Sequence, residues 1–307
     1  MLAAVMSLAL FAAAQQDPPV QDPPLQEPPV TRVDDIIVDG RPLSVVAAEY
    51  AENVGEAPRG RGLARWNRPI CVGTVNLQAT VAQPLIDHIS GVAEDLGVPT
   101  GDPGCRPNVI IVFTDDPRAV AGAMVEADPR GFRLGGRTYH LGSDFREDFL
   151  QGERPVRWWA TSVPIDSETG QRATRLPGDV DAEGNPAAPY IFSTAASRLN
   201  SQIRDDLARI YVVVDVNRVT DVSPQQLADY LAFVALAQID PQGDVSRQAS
   251  VLNAFADPAS SAGFSDWDLA YLRALYRPGA PMRTNRRSIA SGVADEVART
   301  MRSGSGQ

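Results

Sequence analysis

The sequence predicts a protein of the α/β or α+β class, with one main domain in which helices flank a mixed sheet. Two observations support this prediction. Short runs of apolar, mostly β-branched residues at 109–113 and 211–214 are typical of strands that are buried on both faces. Longer segments between such runs carry apolar residues at helical spacing. A strand, a helix and a second strand in succession form a crossover unit, whose two strands lie parallel.

The main domain is predicted over residues 34–280, and its first half contains the crossover unit. The elements expected there are a strand at 36–38, a loop at 51–62, a strand at 70–75, a helix from Val81 to Leu96 that ends at Gly97, and a strand at 109–113. A further helix is expected to start after Asp115 and Asp116, because an aspartate followed by a proline is a typical helix N-terminus.

The second half of the domain continues the alternation of strands and helices. The elements expected there are strands and turns over 131–163, an exposed loop over 166–189, a strand at 211–214, a helix from Ser223 to about Ala237, and a helix capped by Ser265. Residues 281–307 are predicted to form a C-terminal amphipathic helix followed by a disordered tail from Ser303.

The N-terminal residues predict export. Residues 2–14 form an uncharged apolar run that is too short to span a bilayer, which needs about 20 residues. Ala12 and Ala14 fit the small-residue cleavage pattern, so we expect a signal peptide over 1–14 that is cleaved after Ala14. The mature protein would then be periplasmic or secreted, without a transmembrane anchor. The run lacks a positive flank, which leaves an uncleaved anchor or a misassigned start as alternatives.

Residues 15–33 are predicted to be a disordered, proline-rich spacer. Three similar five-residue units follow one another at 16–20, 21–25 and 26–30, each with a pair of prolines. Paired prolines favour extended polyproline II structure and cannot contribute a packed core. A ligand for a proline-reading domain is the alternative interpretation of the same repeat.

The only two cysteines, Cys71 and Cys105, are predicted to form a disulfide. An even number of cysteines in an exported chain indicates pairing. Cys71 lies at the start of the first strand of the crossover unit and Cys105 just before the second. Because parallel neighbouring strands bring their starting ends together, the predicted topology places the two cysteines close to each other.

Composition and motifs exclude several classes of function. The formal net charge of −10 repels phosphate backbones, so nucleic acid is not expected as a partner. The chain has no nucleophile elbow, Walker loop, dinucleotide fingerprint or H-E-x-x-H motif. Its two histidines, His88 and His140, lack further ligands at fixed spacing, and His88 is interpreted as a partly buried structural residue. No metal and no cofactor are therefore predicted.

Three carboxylates are the weak catalytic candidates. Asp115 and Asp116 follow a buried strand, where ligands often bind in α/β proteins, although helix capping explains them equally well. Asp229 lies in an otherwise apolar helix, and a buried carboxylate needs a partner. We expect that partner to be an arginine, and we expect the helix itself to be a packing element without metal.

The C-terminal third resembles a family of uncharacterised exported proteins from Gram-negative bacteria, over about residues 195–278. The similarity rests on the segments 226–237, 250–255 and 264–276. The C-terminal region of that family is similar to zincin metallopeptidases, which implies a zincin-like C-terminal half. By position, the residues in place of the first histidine, the glutamate and the second histidine are Asp229, Tyr230 and Phe233. Phenylalanine cannot bind zinc and tyrosine cannot replace the general base, so the resemblance implies a degenerate active site.

Two functional hypotheses follow from the sequence. The first is a cell-envelope protein with a non-catalytic binding or structural role, whose partner is an unknown envelope protein or a small ligand. The alternative is a divergent, peptidase-like hydrolase in which Asp229, Asp115 or Asp116 acts as the acid. The sequence favours the non-enzymatic hypothesis, and metal content distinguishes the two because a zinc enzyme must retain its metal.

Overall fold

A computed structural model of the chain confirms the predicted α/β class. The structure describes residues 36–57, 61–132, 143–173, 178, 203–278 and 285–304. Within these ranges, seven helices flank a four-stranded mixed sheet in one domain. The predicted signal peptide and spacer, His140 and most of the predicted loop at 166–189 lie outside the described residues.

The elements follow one another in the predicted alternation. The strands are β1 (Ile37–Val38), β2 (Arg41–Pro42), β3 (Val72–Val75), β4 (Val109–Thr114), β5 (Val156–Asp166) and β6 (Ile203–Asp215). The helices are α1 (Leu43–Val54), α2 (Ala79–Asp95), α3 (Pro117–Ala127), α4 (Ser143–Gln151), α5 (Pro224–Leu236), α6 (Asp266–Tyr276) and α7 (Arg286–Gly304). A short 3-10 helix, Val251–Asn253, lies between α5 and α6.

The main sheet has the order β3-β4-β6-β5. Strands β3, β4 and β6 are parallel, and β5 pairs antiparallel with β6, so the sheet is mixed as predicted. Val72 and Val109 begin the register of the first parallel pair. The carboxyl ends of β3, β4 and β6 therefore meet at one edge of the sheet, which we call the carboxyl edge.

Side chains on the two faces of the sheet pack into two separate cores. On one face, Ile111 of β4 and Val212 of β6 belong to a large core that contains residues of α1, α2, α5, α6 and α7. On the other face, Tyr211 and Val213 join a small aromatic core with residues of α3 and α4. Helices thus cover both faces, which is why the central strands are continuously apolar in sequence.

Helix α5 is the central packing element that the sequence predicted. Ser223 and Gln226 form a capping box at its N-terminus, and Phe233 is completely buried. Helix α6 starts with a second capping box, built from Ser265 and Asp268. The fully buried Asp268 also accepts a hydrogen bond from the Tyr50 hydroxyl at 2.7 Å, which links α6 to α1.

Three local predictions were wrong. Residues 143–151, expected as strand and turn, form α4, in which Phe145 and Phe149 lie four residues apart and pack into the small aromatic core. The loop expected at 51–62 begins later, because Ala51 and Val54 are buried as the last turn of α1. The prediction of a disordered tail from Ser303 was also wrong for Ser303 and Gly304, since α7 continues to Gly304.

Helix α7 packs in the large core, although the sequence analysis placed it after the main domain. Its residues Ile289, Val293 and Val297 are buried, and the helix contacts both α1 and α6. The C-terminal amphipathic pattern is therefore the signature of a helix that covers the domain.

The predicted disulfide is confirmed. Cys71 and Cys105 are bonded, with their Cα atoms 6.1 Å apart, and they join the starts of β3 and β4. A structural disulfide is typical of proteins outside the cytosol. In the part of the chain that the structure describes, no helix is long and apolar enough to cross a membrane.

Candidate functional site

A groove opens at the carboxyl edge of the sheet, on the side of the large core, between α2 and the N-terminal half of α5. It has a volume of about 810 Å³. Its lining residues are Leu77, Thr80, Val81, Pro84, Leu85, His88, Phe113, Val219, Thr220, Val222, Pro224, Gln225, Leu227 and Ala228. Ten of these fourteen side chains are apolar, so the few polar groups determine which ligands the groove can orient.

The most distinctive polar feature of the groove is a histidine–aspartate pair. His88 on α2 and Asp229 on α5 are joined by a hydrogen bond of 2.6 Å between Nε2 and Oδ1. The Asp229 side chain is 6% exposed and that of His88 is 29% exposed, so the aspartate is buried behind the histidine. The expected arginine partner for Asp229 was therefore wrong, because the packing of α2 against α5 brings a histidine to it instead.

Asp229 is held in place by two further donors. The Gln225 side chain donates to Oδ1 at 3.0 Å, and the backbone N–H of Phe264 donates to Oδ2 at 2.9 Å. A Cβ atom at Gly263 would collide with Oδ2, so a larger residue there would have to displace the carboxylate. Three hydrogen bonds satisfy the buried carboxylate and fix its position.

This arrangement orients the imidazole of His88. The carboxylate favours a ring proton on Nε2, and whenever the ring carries that proton alone, Nδ1 presents a lone pair. No hydrogen bond reaches Nδ1 from the described residues, whereas Nε2 is bonded to Asp229. The pair can thus accept a hydrogen bond from a ligand or, chemically, take up a proton from one.

The structure separates the other carboxylate candidates from this pair. Asp116 caps α3, accepting a hydrogen bond at 3.0 Å from the backbone N–H of Ala119, which fits the capping interpretation. None of the three candidates lines the groove, and only Asp229 is connected to it, through its hydrogen bond to the lining residue His88.

Tyr230 and Phe233, the other two positions that the expected zincin resemblance singles out, are packing residues. Tyr230 packs edge-on against Phe255 and Trp158, and Phe233 packs against Phe264 and Tyr271. These two side chains belong to the large core. Across the described ranges, no group of three histidine, cysteine, aspartate or glutamate residues is placed to hold a metal ion.

Sequence reasoning missed the pairing of His88 with Asp229, since 141 positions separate them. The available signal was indirect: His88 was recognised close to the apolar stripe of its helix, and Asp229 was recognised as needing a partner. Comparison with known proteins adds no assignment: no protein-family model matches the chain, and no match was found among curated proteins or solved structures. The function is therefore argued from the geometry of the groove.

Proposed function

We propose that this chain is an exported, non-catalytic binding protein whose groove holds a small apolar molecule with a hydroxyl group. The observation that carries the proposal is that His88, a lining residue of an apolar groove, is oriented by a hydrogen bond to the buried Asp229 behind it. Ligand sites in proteins span about 300–1,000 Å³ and combine apolar walls with a few placed polar groups. In this proposal the apolar side chains provide affinity, and Nδ1 of His88 accepts a hydrogen bond from the ligand.

The proposal includes the compartment and the scaffold. Cleavage after Ala14 would deliver the mature chain to the periplasm or the exterior, and the disulfide between Cys71 and Cys105 is compatible with such an oxidising compartment. The zincin-like C-terminal half also remains part of the proposal. Packing side chains at Tyr230 and Phe233 support a scaffold that has no zinc chemistry.

A divergent hydrolase is the second candidate, and the same pair favours it. An aspartate that orients a histidine is the arrangement of a general base, and Thr80 and Thr220 are the hydroxyl side chains that line the groove. Hydrolysis of chromogenic esters or peptides by the purified protein, lost in His88→Ala, would support this candidate over simple binding.

The test of binding uses the neutral fluorescent probe N-phenyl-1-naphthylamine, whose emission rises in apolar surroundings. Val81 lines the groove and is 54% exposed, so Val81→Arg should place a charge there without disturbing the core. We expect this variant to weaken probe binding about tenfold or more, because the probe would have to bind beside a charge.

Val45→Arg is the matched control. Val45 is 49% exposed, lies on α1 and does not line the groove, so its replacement should leave probe affinity unchanged. Equal loss in both variants, or no saturable binding by the wild type, would contradict the proposed function.

A further inference from the structure

A second cavity opens at the carboxyl edge, on the side of the small aromatic core. It has a volume of about 230 Å³, below the range of sites for drug-sized ligands. Its lining residues are Asp116, Pro117, Arg118, Gly152, Glu153, Arg154, Arg157, Asp215 and Arg218. Four arginines thus surround a small polar cavity in a protein whose formal net charge is −10.

Arg157 is the buried cation of this cavity, with 2% of its surface exposed. Its Nη1 donates to the carbonyl oxygens of Phe149 and Leu150, at 3.2 and 3.0 Å, near the end of α4. Its buried Nε finds no acceptor among the described residues. Burial lowers the pKa of Arg157, and the charge of Arg118 lowers it further. The charges of Glu153, Asp148 and Asp215 raise the pKa, but Arg157 forms no direct ion pair with a described carboxylate.

The free donors of Arg157 suit an oxyanion. Both of its hydrogen bonds to described residues come from Nη1, so the edge formed by Nη2 and the buried Nε makes none. This edge of a guanidinium binds two oxygens of a phosphate, sulfate or carboxylate group in a planar fork. The first turn of α3 lies beside it, but Pro117 has no N–H and Asp116 accepts from the N–H of Ala119, so the side chain of Arg118 is what this turn contributes.

Two exposed arginines of the cavity are already bound to a carboxylate. Arg118 and Arg218 both pair with Glu153, whose side chain is 66% exposed. Exposed ion pairs of this kind contribute at most about 1 kcal/mol, so a competing anion can replace Glu153 at little cost. Glu153 therefore occupies the position of an anionic ligand.

The remaining charges of the cavity have partners of their own. Arg154 pairs with Asp148 at 3.2 Å. Asp116 caps α3 through Ala119, as described above. The Oδ1 atom of Asp215 accepts from the backbone N–H of Asn217 at 3.0 Å, and Oδ2 lies 3.7 Å from Nε of Arg218. Arg157, together with Arg118 and Arg218 once their carboxylate partner Glu153 is displaced, can thus bind an incoming anion, while Arg218 keeps its contact with Asp215.

We propose that this cavity binds a phosphate or sulfate group through Arg157, Arg118 and Arg218, in exchange for Glu153. The site is independent of the groove, because none of its lining residues lines the groove. The ligand is a free tetrahedral oxyanion or the same group carried by a larger molecule.

The experiment is calorimetric titration of the full chain with sodium phosphate, in chloride buffer at constant ionic strength. Arg118 and Arg218 are 58% and 45% exposed, so the double variant Arg118→Gln/Arg218→Gln should fold normally. We expect it to bind phosphate about tenfold more weakly or worse. The double variant Arg247→Gln/Arg273→Gln removes the same charge from exposed positions outside the cavity and should bind as the wild type does.

Glu153→Gln provides the sharper test. A general effect of charge on phosphate affinity should be small for this single substitution, whereas removal of the carboxylate that competes for the same arginines should tighten phosphate binding more. We expect tighter phosphate binding by about threefold or more, since the internal competitor is removed. Weaker binding in Glu153→Gln, equal losses in the two double variants, or wild-type binding no stronger than that of chloride would overturn the proposal. Parallel titrations with sulfate and glycerol 3-phosphate establish whether the site accepts the free ion alone or also an ester.

Discussion

At the scale of single residues, His88 and Asp229 decide what the groove can recognise. Three hydrogen bonds fix the carboxylate, and the carboxylate fixes the ring. One ring nitrogen of His88 therefore remains available to bind a ligand, and the His88 side chain is 29% exposed. A ligand that donates a hydrogen bond should therefore bind better than one of the same shape that cannot.

That preference can be measured by displacing the fluorescent probe with 1-decanol and with 1-chlorodecane. We expect the wild type to prefer the alcohol about fivefold, the typical contribution of one hydrogen bond. His88→Phe keeps an aromatic ring in the groove but has no acceptor, so the preference should disappear while affinity for the chloride is retained. A preference that persists in His88→Phe would show that another group binds the hydroxyl.

A second residue-scale prediction concerns acid stability. The hydrogen bond from Tyr211 lowers the pKa of Asp128, and the N–H of Gly131 and the charge of Arg209 act in the same direction. A pKa lowered in the folded state gives stability above the unfolded pKa of about 3.9, which is lost as pH falls through the folded value. Asp128→Asn should therefore destabilise the protein by about 1–2 kcal/mol at pH 7.

The same substitution should have a smaller effect as pH falls below the unfolded pKa of about 3.9 towards the lowered pKa of folded Asp128, because the wild type then loses the stabilisation that its carboxylate provides. Urea unfolding of both proteins at pH 7, 4 and 3 measures this difference. A destabilisation that is constant across these pH values would indicate that the loss comes from packing.

At the scale of secondary-structure elements, α5 joins the core to the groove. Asp229 and Phe233 lie one turn apart on the same face of the helix, where Phe233 is fully buried in the core and Asp229 bonds to His88 of the groove. We expect Phe233→Ala to lower the free energy of unfolding by about 3–5 kcal/mol, because it removes buried surface and leaves a cavity. Urea denaturation measures the change. Val81→Ala, at an exposed position, should stay within about 0.5 kcal/mol of the wild type.

The elements differ in how much of them the sequence could predict. Helices α5 and α6 were predictable, because Ser223 and Ser265 mark their starts and their apolar stripes are long. Helix α4 was not, because only Phe145, Phe149 and Leu150 contact the core and charged residues lie between them. Local patterns thus identify elements that carry both a cap and a stripe, and fail where tertiary contacts decide.

The candidate site was less predictable than the fold. The separate signals at His88 and Asp229 are local, but their contact depends on how α2 packs against α5. Likewise, the arginines of the second cavity come from α3, the segment between α4 and β5, β5 itself and the segment after β6. Neither grouping follows from spacing along the chain, since each depends on the order of strands in the sheet.

At the scale of the whole molecule, the disulfide lies at one end of the parallel strands and the two cavities lie at the other end. Cys71 and Cys105 join the starts of β3 and β4, whereas the groove and the arginine cavity lie at the carboxyl edge. The double variant Cys71→Ser/Cys105→Ser should lose about 3–4 kcal/mol of stability, because a loop of this length is no longer closed in the unfolded chain.

Probe and phosphate affinity should nevertheless remain near wild-type values below the unfolding temperature, because the substituted residues do not line either cavity. Thermal unfolding and the two binding assays on the same preparation test both parts. A loss of binding that precedes unfolding would show that the disulfide shapes the cavities directly.

The disulfide also encloses α2, and with it His88, in a covalent ring that runs from residue 71 to residue 105. A protease that cuts the backbone once anywhere inside this ring does not release a fragment, since the two pieces stay linked through sulfur. The nicked chain would migrate as one band on a denaturing gel without reductant and as two bands with it. The histidine-bearing wall of the groove is thus the part of the molecule that a single cut cannot detach.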